Sequence, residues 1–391
     1  MPECVFPVRI LINTSILRFG GAVQVALSFI HECRVHDQHE YHVVLGPGAD
    51  AVLDQRHFPS NFHFYRKSFG VVNLQKLRRI QREMSRLESS IDPDCVVTTA
   101  GPAYWRSRAP HLIGFNRPLF IYPESPYVKN MGAVDRIRLA AQKTVHCRLY
   151  KRDADALIVQ TNDVNDRVRR LLGTERVYTV TNNYNGWFEN PPESPPLLPA
   201  RQSSVTRFLT VSSYYPHKNL EIIPEVLKAL PSALLGRVEF VLTLAENEYR
   251  ARIGTEIPAQ VRLVGPILPP ACPALYAECD AMFLPTLAEC FSASYPEAMK
   301  MGKPILTTDL GFARSICQDA ALYFRPRDAR SAAQQIVRLI EEDDLRNALR
   351  LAGTTRLAAF DSPAERARKI LGICQQMLDD QDSISRLHGA A

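Results

Sequence analysis

Short apolar runs alternate with longer stretches of helical periodicity along most of the chain. In the first half, six runs have the character of buried strands: residues 8–12, 41–45, 95–98, 119–122, 156–159 and 177–180. Helical patterns lie between several of these runs, including one that starts at Ala22 and a basic one at 134–151. This alternation predicts a parallel sheet with helices on both faces.

A proline-rich stretch interrupts the pattern at residues 190–199, which can neither continue a helix nor pair as a central strand. The alternation then resumes with six more predicted strands, at 207–211, 238–242, 261–264, 281–284, 304–307 and 321–324. We therefore predict two doubly wound α/β domains joined by a linker, with a C-terminal helix and a disordered tail. The predicted bounds are 1–190 and 205–361 for the domains, 191–204 for the linker, 362–380 for the helix and 381–391 for the tail. Ligands of such sheets bind outside the carboxyl ends of the strands, so we expect a site in a cleft between the domains.

Composition narrows the functional class. The chain has 391 residues, of which 46% are hydrophobic and 23% charged, as expected of a soluble protein with two cores. It shows neither a run long enough to span a bilayer nor the pattern of a signal peptide. Its nine cysteines are scattered singly, which favours reduced thiols in the cytoplasm over disulfides or zinc. The mild net charge of +6 does not indicate a nucleic-acid partner.

The stretch 285–304 concentrates the candidate chemistry. A predicted strand ends at Pro285, a loop of small residues carries Glu289, and Ser294 is the predicted N-cap of a helix. Glu297 follows Ser294 at the spacing of a capping box. A strand end and a helix N-terminus favour an anionic ligand, and the two carboxylates suit hydroxyl groups on either side of a phosphate. Glu289 lies in a loop of apolar and small residues, where removing a carboxylate from water costs free energy, so a function for Glu289 is favoured. For Glu297, by contrast, the capping box is by itself a sufficient explanation.

Two weaker candidates lie at other strand ends. Lys218 follows the strand at 207–211 and starts a predicted helix, where it would either bind phosphate or be solvated. Gly20 and Gly21 would either approach a phosphate or form an ordinary turn. The glycine pattern at 46–51 resembles a dinucleotide fingerprint but follows the second strand and precedes no clear helix, which argues against an oxidoreductase.

Two predicted helices of the first half are strongly basic. One carries Lys76, Arg78, Arg79, Arg82 and Arg86, and the other carries Arg136, Arg138, Lys143, Arg148 and Lys151. They are interpreted either as solvated helix faces or as peripheral contacts with anionic lipid.

With these residues in view, the chain resembles the retaining glycosyltransferases of family 4, which have the GT-B fold. The resemblance is strongest from residue 208 to about 353, and Glu289 and Glu297 match the two glutamates of that family. It implies an N-terminal domain that binds the acceptor, a C-terminal domain that binds a nucleotide sugar, and a last helix that crosses back to the N-terminal domain. It also implies that no metal or other cofactor is needed.

The resemblance assigns roles by position. Glu297 would bind the ribose, Glu289 the donor sugar and Lys218 the diphosphate, with Glu289 and Lys218 as catalytic residues. Backbone near Ile267 would meet the base. Further donor contacts are implied at Gly20, Gly21, Ser213, Phe291, Ser292, Ala293 and Ser294.

The chain also departs from the family. Ser213 occupies the place of an arginine of the family. Cys290 and Ser292 replace glycines in the loop that carries Glu289, residues 285–293, which we call the glutamate loop. In the region where a histidine is often found, Glu124 and Tyr127 are the predicted acceptor contacts.

The expected activity is transfer of a sugar, with retention, to a glycan or lipid-linked acceptor in surface polysaccharide or glycolipid synthesis. The expected place is the cytoplasm, peripherally on the inner face of the membrane. Two alternatives stay open: a non-catalytic nucleotide-sugar-binding partner of another transferase, and a nucleotide-sugar epimerase.

Overall fold

A computed structural model describes residues 7–18, 20–70 and 72–389, and the chain divides into two units. The first unit contains the described residues up to 117, together with 134–182 and those from 361 onward. The second contains 118–133 and 183–360. The unit boundary after Asn182 therefore precedes the predicted linker, and a short segment of the N-terminal half belongs to the second unit.

The first unit is built on a parallel sheet of seven strands in the order β3-β2-β1-β4-β5-β6-β7. This is the doubly wound arrangement, in which strands are added outward on one side of β1 and then, from β4 onward, on its other side. The strands are β1 Arg9–Asn13, β2 Glu40–Leu45, β3 Phe62–Arg66, β4 Cys95–Thr98, β5 His111–Gly114, β6 Ala156–Val159 and β7 Val177–Thr179.

Helices cover both faces of this sheet. They are α1 Gly21–Glu32, α2 Pro47–Asp50, α3 Leu74–Ile91, α6 Ala133–Asp153, α7 Asn162–Leu172 and α15 Pro363–Gly389, with the intervening α4 Pro118–Ile121 and α5 Pro126–Lys129 in the second unit. The last helix, α15, is part of this unit because its apolar face, including Ile370 and Met377, joins the core that contains Phe29 and Ile30 of α1.

The second unit has a parallel sheet of six strands in the order β10-β9-β8-β11-β12-β13, again the doubly wound order. The strands are β8 Thr206–Thr210, β9 Val238–Leu242, β10 Val261–Leu263, β11 Ala281–Leu284, β12 Ile305–Thr308 and β13 Ala321–Phe324. The remaining helices are α8 Ile222–Ala229, α9 Glu246–Arg252, α10 Cys272–Ala277, α11 Ser294–Lys300, α12 Gly311–Cys317, α13 Ala329–Glu341 and α14 Asp343–Leu357.

The strand predicted at 119–122 is wrong. This apolar run forms the short helix α4, in which the Tyr122 N–H donates to the Pro118 carbonyl at 3.0 Å. Proline favours the first turn of a helix, and a short apolar run alone does not distinguish a strand from a helix. The neighbouring strand is β5, which the pattern did not predict; β3 was also not predicted.

The helix α15 also extends farther than predicted. It continues to Gly389 and so covers most of the segment predicted as a disordered tail. The segment contains no proline or glycine before Gly389, so no residue in it breaks the helix.

The glycine pattern at 46–51 has a packing explanation. A Cβ atom at Gly46 would lie 2.3 Å from the Thr14 carbonyl oxygen, and one at Gly48 would lie 2.5 Å from that of Arg18. These glycines therefore let α2 pack against the loop that follows β1.

Among the described residues, no helix is both long and apolar enough to cross a membrane.

Candidate active site

A buried ion pair lies at the carboxyl ends of two adjacent strands of the second unit. Lys218 follows β8 and Glu289 follows β11, and these strands are hydrogen-bonded neighbours. The Lys218 Nζ donates to Glu289 Oε1 at 2.5 Å, and the two side chains are only 12% and 11% exposed. Thr286 Oγ1 donates to the same carboxylate oxygen at 3.1 Å. The structure thus brings together the two residues predicted to act in catalysis.

The backbone holds these two loops against each other. The His217 carbonyl accepts a hydrogen bond from the Leu287 N–H at 2.7 Å, and Thr286 Oγ1, whose one proton is shared with the closer Glu289, lies 3.4 Å from the same carbonyl oxygen. Lys218 ends a 3₁₀ turn, and Asn219 follows with φ 56°, a left-handed conformation that asparagine tolerates. The chain therefore turns immediately after Lys218, which was predicted to start a helix that instead begins at Ile222.

Glu297 does not form the predicted capping box. The N-cap of α11 is Ala293, one residue earlier than predicted, and it makes no side-chain capping bond. Glu297 consequently lies one residue too far along the helix to reach back to the N-cap, since the capping box requires the third helical position. The Ser294 hydroxyl, predicted to cap the helix, donates instead to the Val211 carbonyl at 3.4 Å.

Glu297 is instead a buried carboxyl beside Tyr276 of α10. The Tyr276 hydroxyl lies 3.3 Å from Glu297 Oε2 and also 3.3 Å from the Ser294 carbonyl oxygen. Burial raises the pKa of Glu297 to about 7, against the opposite effect of the Tyr276 hydrogen bond. The structure therefore removes the capping explanation that had made Glu297 a weak candidate.

The segment from Phe291 to Ser294 connects the two glutamates. Within the described part of the chain, the N–H groups of these four residues have no hydrogen-bond acceptor. The side chains of Ser292 and Ser294 are buried, and the Phe291 ring packs edge-on against Phe360 at 5.8 Å between centroids. Free amides at this position are donors available to an anionic ligand.

Ser213, which occupies the place of an arginine of the family, brings no charge to this site. Its side chain is exposed in the loop between β8 and the 3₁₀ turn, and its carbonyl accepts a hydrogen bond from the Ser212 hydroxyl at 2.7 Å. Cys290, which replaces a glycine of the family, is buried. Ile267 is half-buried in the loop after β10, where Gly265 has φ 71° and turns the chain.

The predicted acceptor contacts lie in the segment 118–133, which packs in the second unit. The Ser125 hydroxyl donates to the Leu287 carbonyl at 2.7 Å, so this segment contacts the glutamate loop directly. The Tyr127 ring meets His217 edge-on, with 6.1 Å between centroids, whereas Glu124 is exposed. Tyr127 is thereby placed beside the residue that precedes Lys218.

Gly20 and Gly21 belong to the first unit. Gly20 precedes α1 with φ 82°, a conformation that favours glycine, and Gly21 is the first residue of that helix. No atom lies within 4 Å of the position that a Cβ atom would take at Gly21, so open space is present there and packing does not require glycine. The preceding residue, Phe19, lies outside the described residues.

Sequence reasoning missed four residues of this site. Thr286 and Ser125 fix the glutamate loop, His217 connects it to Lys218, and Tyr276 contacts Glu297. Burial lowers the pKa of His217, with Glu289 acting in the opposite direction and Lys218 in the same one. None of the four has a periodicity or spacing that marks it, because each acts through a contact that only the fold creates.

Comparison with known proteins now assigns a class to this site. Residues 206–342, which contain Lys218, Glu289 and Glu297, match the family model described as Glycosyl transferases group 1. The chain carries a group 1 glycosyltransferase domain. No curated protein matches the sequence of this glycosyltransferase.

Solved structures share the fold over nearly all of this chain. A glycosyltransferase from Rickettsia africae ESF-5 is similar with a TM-score of 0.70 at 16% identity, over 95% of this chain and 99% of that one. Anabaena HepE in complex with UDP-glucose has a TM-score of 0.67 at 17% identity, over 96% and 100%. A putative UDP-N-acetylglucosamine 2-epimerase from Listeria monocytogenes has a TM-score of 0.57 at 12% identity, over 96% and 97%. The fold is therefore GT-B, with two Rossmann-like parallel-sheet domains.

Proposed function

We propose that this glycosyltransferase moves a sugar from a nucleotide-diphosphate sugar to a hydroxyl group of a glycan or lipid-linked acceptor, with retention of configuration. The observation that carries the proposal is the buried pair of Lys218 and Glu289, with Glu297 on the helix that follows. A buried ion pair contributes little to stability, so its position at two strand ends favours a role in ligand binding.

The charges of the site suit the parts of such a donor. Lys218 would shift from Glu289 to the diphosphate, leaving the Glu289 carboxylate to accept hydrogen bonds from hydroxyls of the donor sugar. Glu297 would accept hydrogen bonds from the ribose hydroxyls, and the base would lie near Ile267. The amides of residues 291–294 would donate to phosphate oxygens.

The same residues provide electrostatic catalysis. As the bond to the sugar breaks, negative charge develops on the leaving diphosphate, and Lys218 with the nearby amides stabilises it. In this proposal these groups replace a metal ion. The structure of Anabaena HepE, which contains UDP-glucose, supports a nucleotide sugar as the donor.

The acceptor would approach from the segment 118–133. Tyr127 is half-buried against His217 and, with the exposed Glu124, offers a polar surface beside Lys218. Sugar hydroxyls bind well to such aromatic and carboxylate side chains because these combine an apolar face with hydrogen-bond acceptors. The acceptor would be a glycan or glycolipid of surface polysaccharide assembly.

Membrane association is proposed for the first unit, on the cytoplasmic side. Residues 134–138 near the start of α6 are all exposed, with Val134 62% and Ile137 69% exposed beside Arg136 and Arg138. A groove of about 630 Å³ along α3 is lined by further arginines, namely Arg78, Arg82, Arg86, Arg108 and Arg152. Exposed apolar side chains among basic ones are typical of peripheral contact with anionic lipid.

A transfer assay with matched variants tests the proposal. The purified protein would be incubated with nucleotide sugars and an acceptor extract, and the anomeric configuration of the product would be determined by proton NMR. The double variant Lys218→Met/Glu289→Gln replaces both charges of the buried pair and so avoids an unpaired charge. The control is Lys228→Met/Glu225→Gln, which removes an exposed ion pair of the same unit. Loss of transfer in the first variant alone supports the site, whereas equal activity in both would refute it.

Two alternative functions have specific support. Ser213 favours a nucleotide-sugar-binding partner without activity, because a serine lacks the positive charge with which an arginine at this position would bind the diphosphate. The similarity to the Listeria structure favours an epimerase, though at a lower TM-score. Incubating donor alone and following its sugar by NMR separates them: an epimerase converts the sugar without acceptor, a binding partner leaves it unchanged, and a transferase needs an acceptor for transfer.

A further inference from the structure

A cluster of two histidines and one glutamate lies on the sheet of the first unit, in residues to which the proposed function gives no role. Glu40 and His42 are two residues apart on β2, so their side chains share one face of the sheet. His63 on the edge strand β3 is paired in register with His42. Two positions on one strand and a cross-strand neighbour place three side chains side by side.

The potential ligand atoms of this cluster converge. The Nε2 atoms of His42 and His63 each lie 3.2 Å from Glu40 Oε1, and all three ligand atoms are within 4.8 Å of one another. The imidazole rings are stacked with 4.8 Å between centroids. Two imidazole nitrogens and one carboxylate oxygen at such distances form a donor set that binds Zn²⁺ and similar ions.

Surrounding contacts already orient the three side chains. The Nδ1 of His42 is 2.9 Å from the Tyr65 hydroxyl, which leaves Nε2 directed at Glu40. Arg9 Nε donates to Glu40 Oε2 at 3.0 Å, and its NH1 group is anchored on the Ile91 carbonyl at 2.9 Å. Metal-binding imidazoles and carboxylates are typically held by outer partners of this kind.

An ordinary ion network explains the cluster less well. Arg9 already supplies a cation to Glu40, so a second cationic partner is not needed to balance that carboxylate. Nevertheless, both histidines direct their Nε2 atoms to Oε1 of Glu40, the carboxylate oxygen that Arg9 does not contact. A divalent ion would replace the protons that the imidazoles share with Oε1 and would leave the Arg9 contact intact.

We propose that Glu40, His42 and His63 bind a divalent transition-metal ion, with Zn²⁺ as the expected ion. The ion would connect the edge strand β3 to β2 and so stabilise the first unit. Side-chain exposures of 41% for Glu40 and 44% for His63 give the ion access from solvent, while His42 is buried. Three protein ligands leave a fourth position for water. Mg²⁺ and Ca²⁺ prefer oxygen ligands and are not expected to bind.

Calorimetric titration of the chelator-treated full chain with Zn²⁺ tests this site. The wild type should bind one equivalent, and Co²⁺ should give the visible absorption of a site with nitrogen ligands. His63→Phe keeps the stacked ring but removes the ligand atom, and His63→Ala is a second test of the same position. Both should weaken Zn²⁺ binding at least about tenfold, as should Tyr65→Phe through loss of the outer contact.

His57→Ala is the matched control, because His57 is an exposed histidine beside Asp54 in the same unit. It should bind Zn²⁺ like the wild type. Thermal unfolding provides an independent readout, with a Zn²⁺-dependent rise in Tm in the wild type that both His63 variants lose. Absence of saturable Zn²⁺ binding, or equal affinity in the wild type and both His63 variants, would overturn the proposal.

Discussion

Replacing Glu297 by glutamine should make the stability of this glycosyltransferase less dependent on pH. Burial raises the pKa of Glu297 to about 7 in the folded protein, compared with an ordinary value of 4.5. The folded state therefore holds this proton more tightly than the unfolded chain does. The resulting stabilisation is fully present below pH 4.5 and is lost as the pH rises toward 7.

The size of the effect follows from the shift. Each pKa unit corresponds to about 1.4 kcal/mol. Glu297 should therefore lower the free energy of unfolding by about 3 kcal/mol between mildly acidic and mildly alkaline pH. Glutamine cannot ionise, yet its amide oxygen can still accept the Tyr276 hydrogen bond. Glu297→Gln should therefore be more stable than the wild type at alkaline pH and nearly equal to it in acid.

Urea denaturation followed by circular dichroism across this pH range measures the difference. Glu225→Gln, which neutralises an exposed carboxylate of the same unit, is the control and should change the pH profile little. If the free energy of unfolding of Glu297→Gln and of the wild type depends on pH in the same way, the pKa of Glu297 is not raised by burial and the reasoning fails. The same variant should bind the nucleotide sugar more weakly, because an amide oxygen is a weaker acceptor for the proposed ribose hydroxyls than a carboxylate.

Three further predictions concern the surrounding residues. Ser213→Arg should tighten donor binding and make it more salt-dependent, because it adds a charge beside the proposed diphosphate site; unchanged affinity and salt response would argue against that placement. Tyr127→Ala should raise the KM for the acceptor and leave the KM for the donor unaltered; steady-state kinetics with each substrate varied distinguishes this from a donor effect. Ile137→Glu should reduce flotation with anionic liposomes at low salt, and equal flotation of the variant and the wild type would exclude α6 as the contact.

The sheet architecture was predictable because buried parallel strands are nearly continuous apolar runs. Runs such as 281–284 form strands as predicted, although the similar run at 119–122 forms a helix, and the residues that follow such a strand lie at the carboxyl edge of the sheet. This is why Lys218 and Glu289 were found from the sequence, although the ion pair between them was not predicted.

The contacts that complete the site were not predictable because they depend on long-range packing. The segment 118–133 belongs to the second unit through contacts such as Ser125 with Leu287, which are 162 residues apart in sequence. The role of Glu297 depended on a helix start that differs by one residue from the predicted one. A shift of this size is within the usual uncertainty of a boundary, yet it converts a helix cap into a buried carboxyl.

Donor binding measured by calorimetry tests the central claim most directly. A thermal-shift panel of nucleotide sugars would first select the donor, which would then be titrated into the wild type, Lys218→Met/Glu289→Gln and Lys228→Met/Glu225→Gln. Charge-assisted hydrogen bonds contribute about 1.5–3 kcal/mol each, so the first double variant should lose at least about tenfold in affinity. The control should match the wild type. Equal affinity in all three proteins would contradict a donor site built on Lys218 and Glu289.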